Sequence, residues 1–305
     1  MTYREKILAD KENFLNSYLE GKTVTYLMNY YQIKNRHLIL KCIREFGAEV
    51  RPDNLTHSKK YNIDVTYFEK VDTEDKAYFL GLLYADGYNG KSNSCIWLGL
   101  ASPDEHILET FKKYLKTNKP LKFYNKGKQT NNKWKDFYNL DIENKKMCED
   151  LEKLNCFQAK THFLTFPNQS IVPKHLIRHF IRGFFDGDGC ITSTRTKNKP
   201  NRKPTYSISF VTTLSFLESL EQIFIEELGF KKVKFSKRFK ERKDSIYTFS
   251  FAGSNKVEKL YHYLYDNSNP ELCLKRKKLK FEEFDKMIND RRNKKLCPHL
   301  VMNVE

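Results

Sequence analysis

Two aspartates close two near-copies of one apolar segment. Tyr78-Phe79-Leu80-Gly81-Leu82-Leu83-Tyr84-Ala85-Asp86-Gly87 returns 102 residues later as Phe180-Ile181-Arg182-Gly183-Phe184-Phe185-Asp186-Gly187-Asp188-Gly189. Each copy reads as a helix that ends in an acid. A carboxylate at a helix C-terminus meets the negative end of the macrodipole, at a cost of roughly 0.3–1 kcal/mol, and two such groups side by side also repel. A cation should compensate. Mg²⁺ or Mn²⁺, which take oxygen ligands and bind phosphate, suit a pair of carboxylates, so Asp86 and Asp188 are expected to be catalytic acids that hold divalent metal, with Ala85 and Gly187 beside them in the metal set. Asp186-Gly187-Asp188 also opens like a calcium loop, but Lys197 stands at the twelfth position, where a bidentate Glu is required.

The elements that must position these acids follow from the same segments. Gly81 with Ala85, and Gly183 with Gly187, set small residues at i, i+4 spacing, which lets two helix backbones approach closely. Gly87 and Gly189 stand where a left-handed helix stop is expected. One Asp-Gly turn after a buried helix is commonplace; two, each followed by strand-like sequence and a further helix, mark a repeated structural unit. In the first unit the pattern predicts a helix over 74–86, a strand near 94–100, a helix from Ser102-Pro103-Asp104-Glu105 to about Lys116, strands near 121–125 and 134–142, and a helix over 145–154. In the second, a helix begins after Pro173, strands lie near 190–194 and 206–212, a helix spans 215–228, strands follow near 233–239 and 246–251, and a helix starts at Asn255. Alternation in 206–212 and 246–251 turns apolar residues toward the helices and polar ones outward.

The chain resembles the LAGLIDADG homing endonucleases, in the single-chain form with two motifs. Phe79 to Gly87 and Ile181 to Gly189 align with the nine-residue signature, and the resemblance spans roughly residues 70 to 290. It implies an α+β fold of two pseudo-symmetric αββαββα repeats, with the signature helices packed at their interface (Gly81, Ala85, Gly183, Gly187) and a saddle of antiparallel sheets over the DNA major groove. It also implies that the last acid of each motif, Asp86 and Asp188, binds divalent metal, activates water for in-line attack on a phosphodiester and cuts one strand. Tyr84 departs from the signature, where Asp186 keeps the usual acid; that position is not the metal ligand. Ser102 and Thr213 fall near the family position that orders the catalytic water. A supporting lysine is usual near the end of each repeat's last strand; Glu143 and Gly253 stand there, which leaves Lys145 and Lys256 as neighbouring candidates. The organisation expected is a helix-turn-helix-like module over 1–55, a linker over 56–72, a first repeat over 73–154, a linker over 155–172, a second repeat over 173–290 and a tail over 291–305.

The net charge of +17 is concentrated. Residues 119–135, 195–203 and 231–243 together hold +18, leaving −1 for the rest. Three basic runs, each beside a strand of a repeat, outline an electrostatic footprint for a phosphate backbone. Its expected contacts are Lys122, Lys126, Lys128, Lys133 and Lys135 in the first run, Arg195, Lys197, Arg202 and Lys203 in the second, and Lys234, Lys237, Arg238, Lys240, Arg242 and Lys243 in the third. The first 55 residues read as three helices with a turn at Tyr31-Gln32-Ile33-Lys34; the helix after the turn would place Asn35, Arg36, His37, Lys41 and Arg44 on or near DNA. Its apolar positions are Leu38, Leu40, Ile43 and Phe46.

No apolar run approaches the ~18–20 residues of a membrane span. Seven cysteines without a Cys-x-x-Cys pair suit reduced, buried thiols rather than a disulfide framework. The expected protein is a soluble, intracellular monomer, in a prokaryotic or phage-infected cell or an organelle, that makes double-strand breaks at a long asymmetric DNA site. A non-cleaving DNA-binding regulator, or a maturase bound to intron RNA, is the alternative on the same scaffold; retention of both acids favours the enzyme.

Overall fold

In a computed structural model, the described residues are 3–50, 61–90, 94–126, 135–195, 204–238 and 246–296. They form two compact units, 1–61 and 62–305. The first is all-helical: α1 (Tyr3–Ala9), α2 (Lys11–Leu19), α3 (Val24–Tyr30) and α4 (Arg36–Glu45). Thr23 caps α3 by accepting the Tyr26 N–H. Asn35 caps α4 by accepting from His37 and Leu38, so this side chain, expected at DNA, is engaged in starting its helix. The buried face of α4 is Ile39, Cys42 and Ile43, with Leu38 and Leu40 only half-buried. Arg36, His37, Lys41 and Arg44 are exposed.

In the second unit, α5 (Glu74–Asp86) leads into β1 (Gly87–Gly90) and β2 (Cys95–Ala101), followed by a 3₁₀ turn at Ser102–Asp104, α6 (Glu105–Tyr114), β3 (Lys122–Tyr124), β4 (Phe137–Glu143) and α7 (Lys145–Lys153). The order then repeats: α8 (Ile177–Asp188), β5 (Gly189–Thr194), β6 (Thr205–Thr213), α9 (Leu214–Leu228), β7 (Ser236–Lys237), β8 (Ile246–Ala252) and α10 (Ser254–Tyr265). A long helix, α11 (Lys275–Leu296), ends the described chain. The sheets are ordered β1-β2-β4-β3 and β5-β6-β8-β7, antiparallel throughout. The α+β double repeat is therefore present. Strand β1 escapes the sequence pattern because Gly87-Tyr88-Asn89-Gly90 reads as a turn, yet it pairs with β2 from Gly87–Leu98 to Gly90–Cys95. Strand β7 is shorter than expected among the described residues.

Apolar side chains from both repeats share one buried cluster, in which Phe79, Phe111, Phe180, Phe184 and Phe216 are fully enclosed. At its centre α5 lies against α8. A Cβ on Gly81 would overlap the Phe180 carbonyl and come within 2.9 Å of the Phe184 nitrogen. One on Gly183 would overlap the Tyr78 carbonyl and lie 3.0 Å from the Leu82 nitrogen. The small residues are thus required by backbone contact. Arg182, with no exposed surface, ties the helix pair to the later chain: it donates to the Leu264 and Leu272 carbonyls at 2.9 Å each and to Glu74 at 2.6 Å. The cysteines Cys42, Cys148, Cys156 and Cys273 are buried free thiols, but Cys190 is exposed.

Candidate active site

Asp86 and Asp188 are the last residues of α5 and α8, and the helix contact brings them to one place. Gly187 touches both the Ala85 methyl and Asp86: a Cβ added to it would overlap the former and lie 3.1 Å from Asp86 Oδ2. The expected left-handed stop is absent. Gly87 (φ −81°, ψ 155°) and Gly189 (φ −82°, ψ 156°) are extended, and turn each helix directly into a strand. Glycine is needed for space instead, since a Cβ would strike Leu83 at Gly87 and Phe185 at Gly189.

Both aspartates are exposed to solvent, yet the protein around them is dense enough to disfavour their charged forms. Crowding pushes Asp86 upward, against the charges of Lys277, Lys160 and Arg276. Crowding and the neighbouring Asp86 charge together raise Asp188 to about 6. Each acid therefore stands in need of positive charge.

Two lysines supply part of it, and neither was expected from the sequence. Lys160, buried in the segment after α7, donates to the Gly87 carbonyl. Lys277 on α11 donates to the carbonyls of Phe185 (2.7 Å), Asp186 (2.6 Å), Gly187 (3.2 Å) and Gly189 (2.5 Å). Gly87 and Gly189 are equivalent in the two repeats, so each helix C-terminus holds its own ammonium group, where the macrodipole favours a cation. Burial lowers Lys277 to about 8. The residues expected in this supporting role lie elsewhere: Lys145 pairs with Glu149 at 3.7 Å, and Lys256 sits 5.7 Å above the Phe230 ring.

Asp186 is a different kind of acid. It is fully buried, accepts from Tyr78 Oη and the Leu274 N–H at 2.8 Å each, and burial pushes it up. Its counterpart Tyr84 donates to the Leu154 carbonyl at 2.5 Å. Both are structural partners of the helix pair. Ser102 and Thr213 are not equivalent. Gly87 pairs with Leu98 and Gly189 with Phe210, which makes Ala101 the counterpart of Thr213. The Thr213 hydroxyl is committed, donating to the Leu164 carbonyl and accepting from the Phe216 N–H at 3.4 Å; it caps α9 and is buried.

Of the basic residues, Lys122, Lys135, Arg195, Lys234 and Arg238 are exposed, and Lys126 and Lys237 are half-buried. Arg238 contributes to the field at Asp188. Lys128, Lys133, Lys197, Arg202, Lys203, Lys240, Arg242 and Lys243 lie outside the described residues.

The donor set suits a hard divalent ion: two accessible carboxylates, each short of positive charge, with the Ala85 and Gly187 backbones beside them. A separate cluster of Glu258, His262 and Asp285 brings three ligand-type atoms within 4.8 Å. There, however, Arg292 already holds both Glu258 oxygens at 2.6 and 2.9 Å, which makes it a surface ion-pair network.

Residues 181–288 match the family model described as LAGLIDADG endonuclease. Among curated proteins, no sequence matches. Solved structures similar to the chain include the I-LtrWI LAGLIDADG homing endonuclease bound to target DNA, 14% identical with a TM-score of 0.47, covering 76% of this chain and 92% of that one. The I-SmaMI LAGLIDADG homing endonuclease bound to cleaved DNA is 11% identical, with a TM-score of 0.45 and coverage of 74% and 92%. For the LAGLIDADG homing endonuclease I-GzeII in complex with its DNA target the values are 12%, 0.45, 77% and 94%. The match to the LAGLIDADG endonuclease model covers the second repeat, where α8 carries Asp188 at its end, and α5, in backbone contact with it, carries Asp86 at the matching place.

Proposed function

We propose that this protein is a site-specific DNA endonuclease that requires a divalent metal, Mg²⁺ or Mn²⁺, and breaks both strands of a long asymmetric target as a monomer inside the cell. The observation that carries the reading is the pair of solvent-accessible aspartates at matched helix ends, each beside a buried lysine. Asp86 and Asp188 hold the metal in this reading, with the Ala85 and Gly187 carbonyls as further oxygen donors. When bound, the metal supplies an activated water and stabilises the leaving oxygen.

The chain's own residues do the rest. Lys160 and Lys277 balance the negative helix ends, so that the acids can ionise without a second, competing penalty. With Lys277 at about 8, its Nζ keeps its charge at neutral pH and continues to hold the carbonyls at the end of α8. The exposed basic residues flanking the sheets neutralise phosphates and steer the duplex, while outward strand side chains meet the major groove. In the N-terminal unit, Arg36, His37, Lys41 and Arg44 lie exposed on α4, as a groove-reading helix requires.

Selection of cleavage sites from a randomised duplex library in Mg²⁺ tests the proposal. A single long consensus, cut on both strands by the wild-type protein and by neither Asp86→Asn nor Asp188→Asn, is the expected result. Specific binding without cleavage under any divalent ion would favour a DNA-binding regulator instead.

A further inference from the structure

One amide on the outer face of the first sheet is covered and unpaired. In the pairing of β2 with β4, Gly99 stands opposite Asn139 and Trp97 opposite Asp141; on the other side, β3 sets Lys122 opposite Asn139. Leu98, Leu100, Leu140 and Ile142 of the same strands are buried in the core, so alternation turns Trp97, Gly99, Asn139 and Asp141 outward. Yet Asn139 is 1% exposed, and its Oδ1 has no hydrogen-bond partner among the described residues. Asp141, two residues on, accepts from Lys119 and Lys122. Asn89, a buried asparagine of β1, spends its Nδ2 on the Cys148 and Cys156 carbonyls at 3.0 and 2.8 Å, which gives it a structural task. An unpaired buried amide is costly, and Asn139 bears that cost on the face that would meet base edges.

The cover is an indole. A Cβ on Gly99 would lie 2.9, 3.2 and 3.3 Å from three atoms of the Trp97 six-membered ring. The indole therefore lies on the backbone of Gly99 and fills the side-chain place that faces Asn139 across the strand pair, where cross-strand neighbours stand roughly 5 Å apart. Phe137 meets it edge to face, with ring centroids at 6.2 Å, and Tyr124 stacks on Phe137 at 4.8 Å. Trp97 is only half-buried, and a ring seated on a glycine can swing away about its own side-chain bonds without moving the strand. On the second sheet the register puts Ser209, Val211, Thr248 and Ser250 at the places of Trp97, Gly99, Asn139 and Asp141. An amide under a ring belongs to the first sheet alone.

We propose that Asn139 reads an adenine in the half of the target under the first sheet, and that Trp97 is the lid that swings off Gly99 to admit it. In the major groove adenine offers a donor, N6, beside an acceptor, N7, and an asparagine amide matches that pair with Oδ1 and Nδ2. Guanine offers two acceptors there and would leave Oδ1 unpaired. Lifting the indole is repaid only where a base supplies the missing donor, so the lid raises discrimination against other sequences. The inference rests on the endonuclease reading, which sets the outer face of the sheet on DNA.

The test measures binding to a selected target in Ca²⁺, with the chain's second tryptophan replaced as Trp134→Phe so that emission reports Trp97 alone. Changing one A·T pair to G·C should weaken binding by about 10-fold or more, and 7-deazaadenine at that position should lose part of the same factor. Asn139→Leu, of similar volume, and Asn139→Ala as a second variant should lose this preference, and the Leu variant should melt no lower than the parent because the orphaned amide is gone. Gly99→Ala sets a methyl under the indole and should bind the target several-fold more tightly, since the protein no longer has to open itself. Trp97 emission should change on the selected duplex and not on a random duplex of equal length. An adenine preference that survives in both Asn139 variants, equal emission changes on the two duplexes, or weaker binding by Gly99→Ala overturns the proposal and leaves the endonuclease reading intact. A protein that binds a selected target but cuts none overturns that reading and leaves this test in force; a protein that selects no target overturns both.

Discussion

Replacing Asp188 with Asn should stabilise the protein in the absence of divalent cations, although it abolishes cleavage. Asp188 carries an ordinary carboxylate value of 3.8 when unfolded and about 6 when folded. Between those values the folded state binds more protons, so stability falls as pH rises through the window, and the full penalty is present above about pH 6. A fully enclosed group with that shift would cost about 3 kcal/mol. Because solvent reaches this carboxylate, screening reduces the figure to about 1 kcal/mol. For the 62–305 unit that is a rise of about 2–4 °C in Tm for Asp188→Asn at pH 7.5. The assay is thermal melting in EDTA across pH 3.5 to 8, then again with Mg²⁺ or Ca²⁺. The advantage of the variant should vanish near pH 3.5, where wild-type Asp188 is protonated in both states. Added divalent ion should raise the wild-type Tm and narrow the gap, because it supplies the missing charge. A variant that melts below wild type at pH 7.5, or a gap independent of pH, would refute the account of Asp188 as an uncompensated acid.

Three further outcomes are expected. Gly183→Leu drives a side chain into the Tyr78 carbonyl and should cost about 3 kcal/mol or more, seen as a Tm lower by roughly 6 °C or more; an unchanged melt would show that α5 and α8 part freely. Lys237→Ala with Arg238→Ala should weaken DNA binding and flatten its dependence on log salt by about 0.9 for each phosphate no longer neutralised, whereas an unchanged slope would remove β7 from the footprint. Deleting residues 1–61, a unit with its own buried core, should preserve the central cut site but shorten the protected DNA and lower affinity, as loss of a tethered second reader does; cleavage at a different site would make that unit the principal determinant of the target.

What was legible in the sequence is what local chemistry dictates. The signature helix of the first repeat falls on 74–86 as patterned, and its partner begins just after Pro173 in a 3₁₀ turn. The inward alternation of Ile208, Phe210, Phe249 and Phe251 is likewise as expected, because period-two burial is written in adjacent residues. The lysines of the site were hidden for the opposite reason. Lys160 and Lys277 stand among 55 Lys and Arg residues, and they do not share the 102-residue spacing of Asp86 and Asp188, because the connection between the first two strands of each repeat and the chain between its last helix and its lysine both differ in length. Only the fold brings them to equivalent carbonyls. Helix ends misled in a related way: a glycine after a helix ordinarily signals a left-handed stop, but here the constraint is the Leu83 and Phe185 side chains packed against the strand that follows.

The outward faces of the two sheets sharpen the expectation of an asymmetric target. On the second sheet the positions opposite the buried ones carry mostly small hydroxyl side chains, Thr192, Ser207, Ser209, Thr248 and Ser250, paired as Thr192–Ser207 and Ser209–Ser250, together with the small Cys190, Val211 and Ala252. On the first the corresponding face carries aromatic rings, with Trp97 against Phe137 at 6.2 Å and Tyr124 stacked on Phe137 at 4.8 Å. Asp141 lies on that same face and accepts from Lys119 at 2.9 Å and Lys122 at 3.0 Å; burial pushes it up, but these two lysines more than offset the effect and hold it below the usual carboxylate range. Lys122 is therefore committed in part to an acid before any phosphate arrives. Hydroxyls donate and accept with little steric demand, whereas rings exclude water and favour apolar contact, such as a thymine methyl group. A single backbone plan thus presents two chemically different surfaces. Under the endonuclease reading, the two halves of one target must differ accordingly, and a palindromic site would place one half against the wrong face.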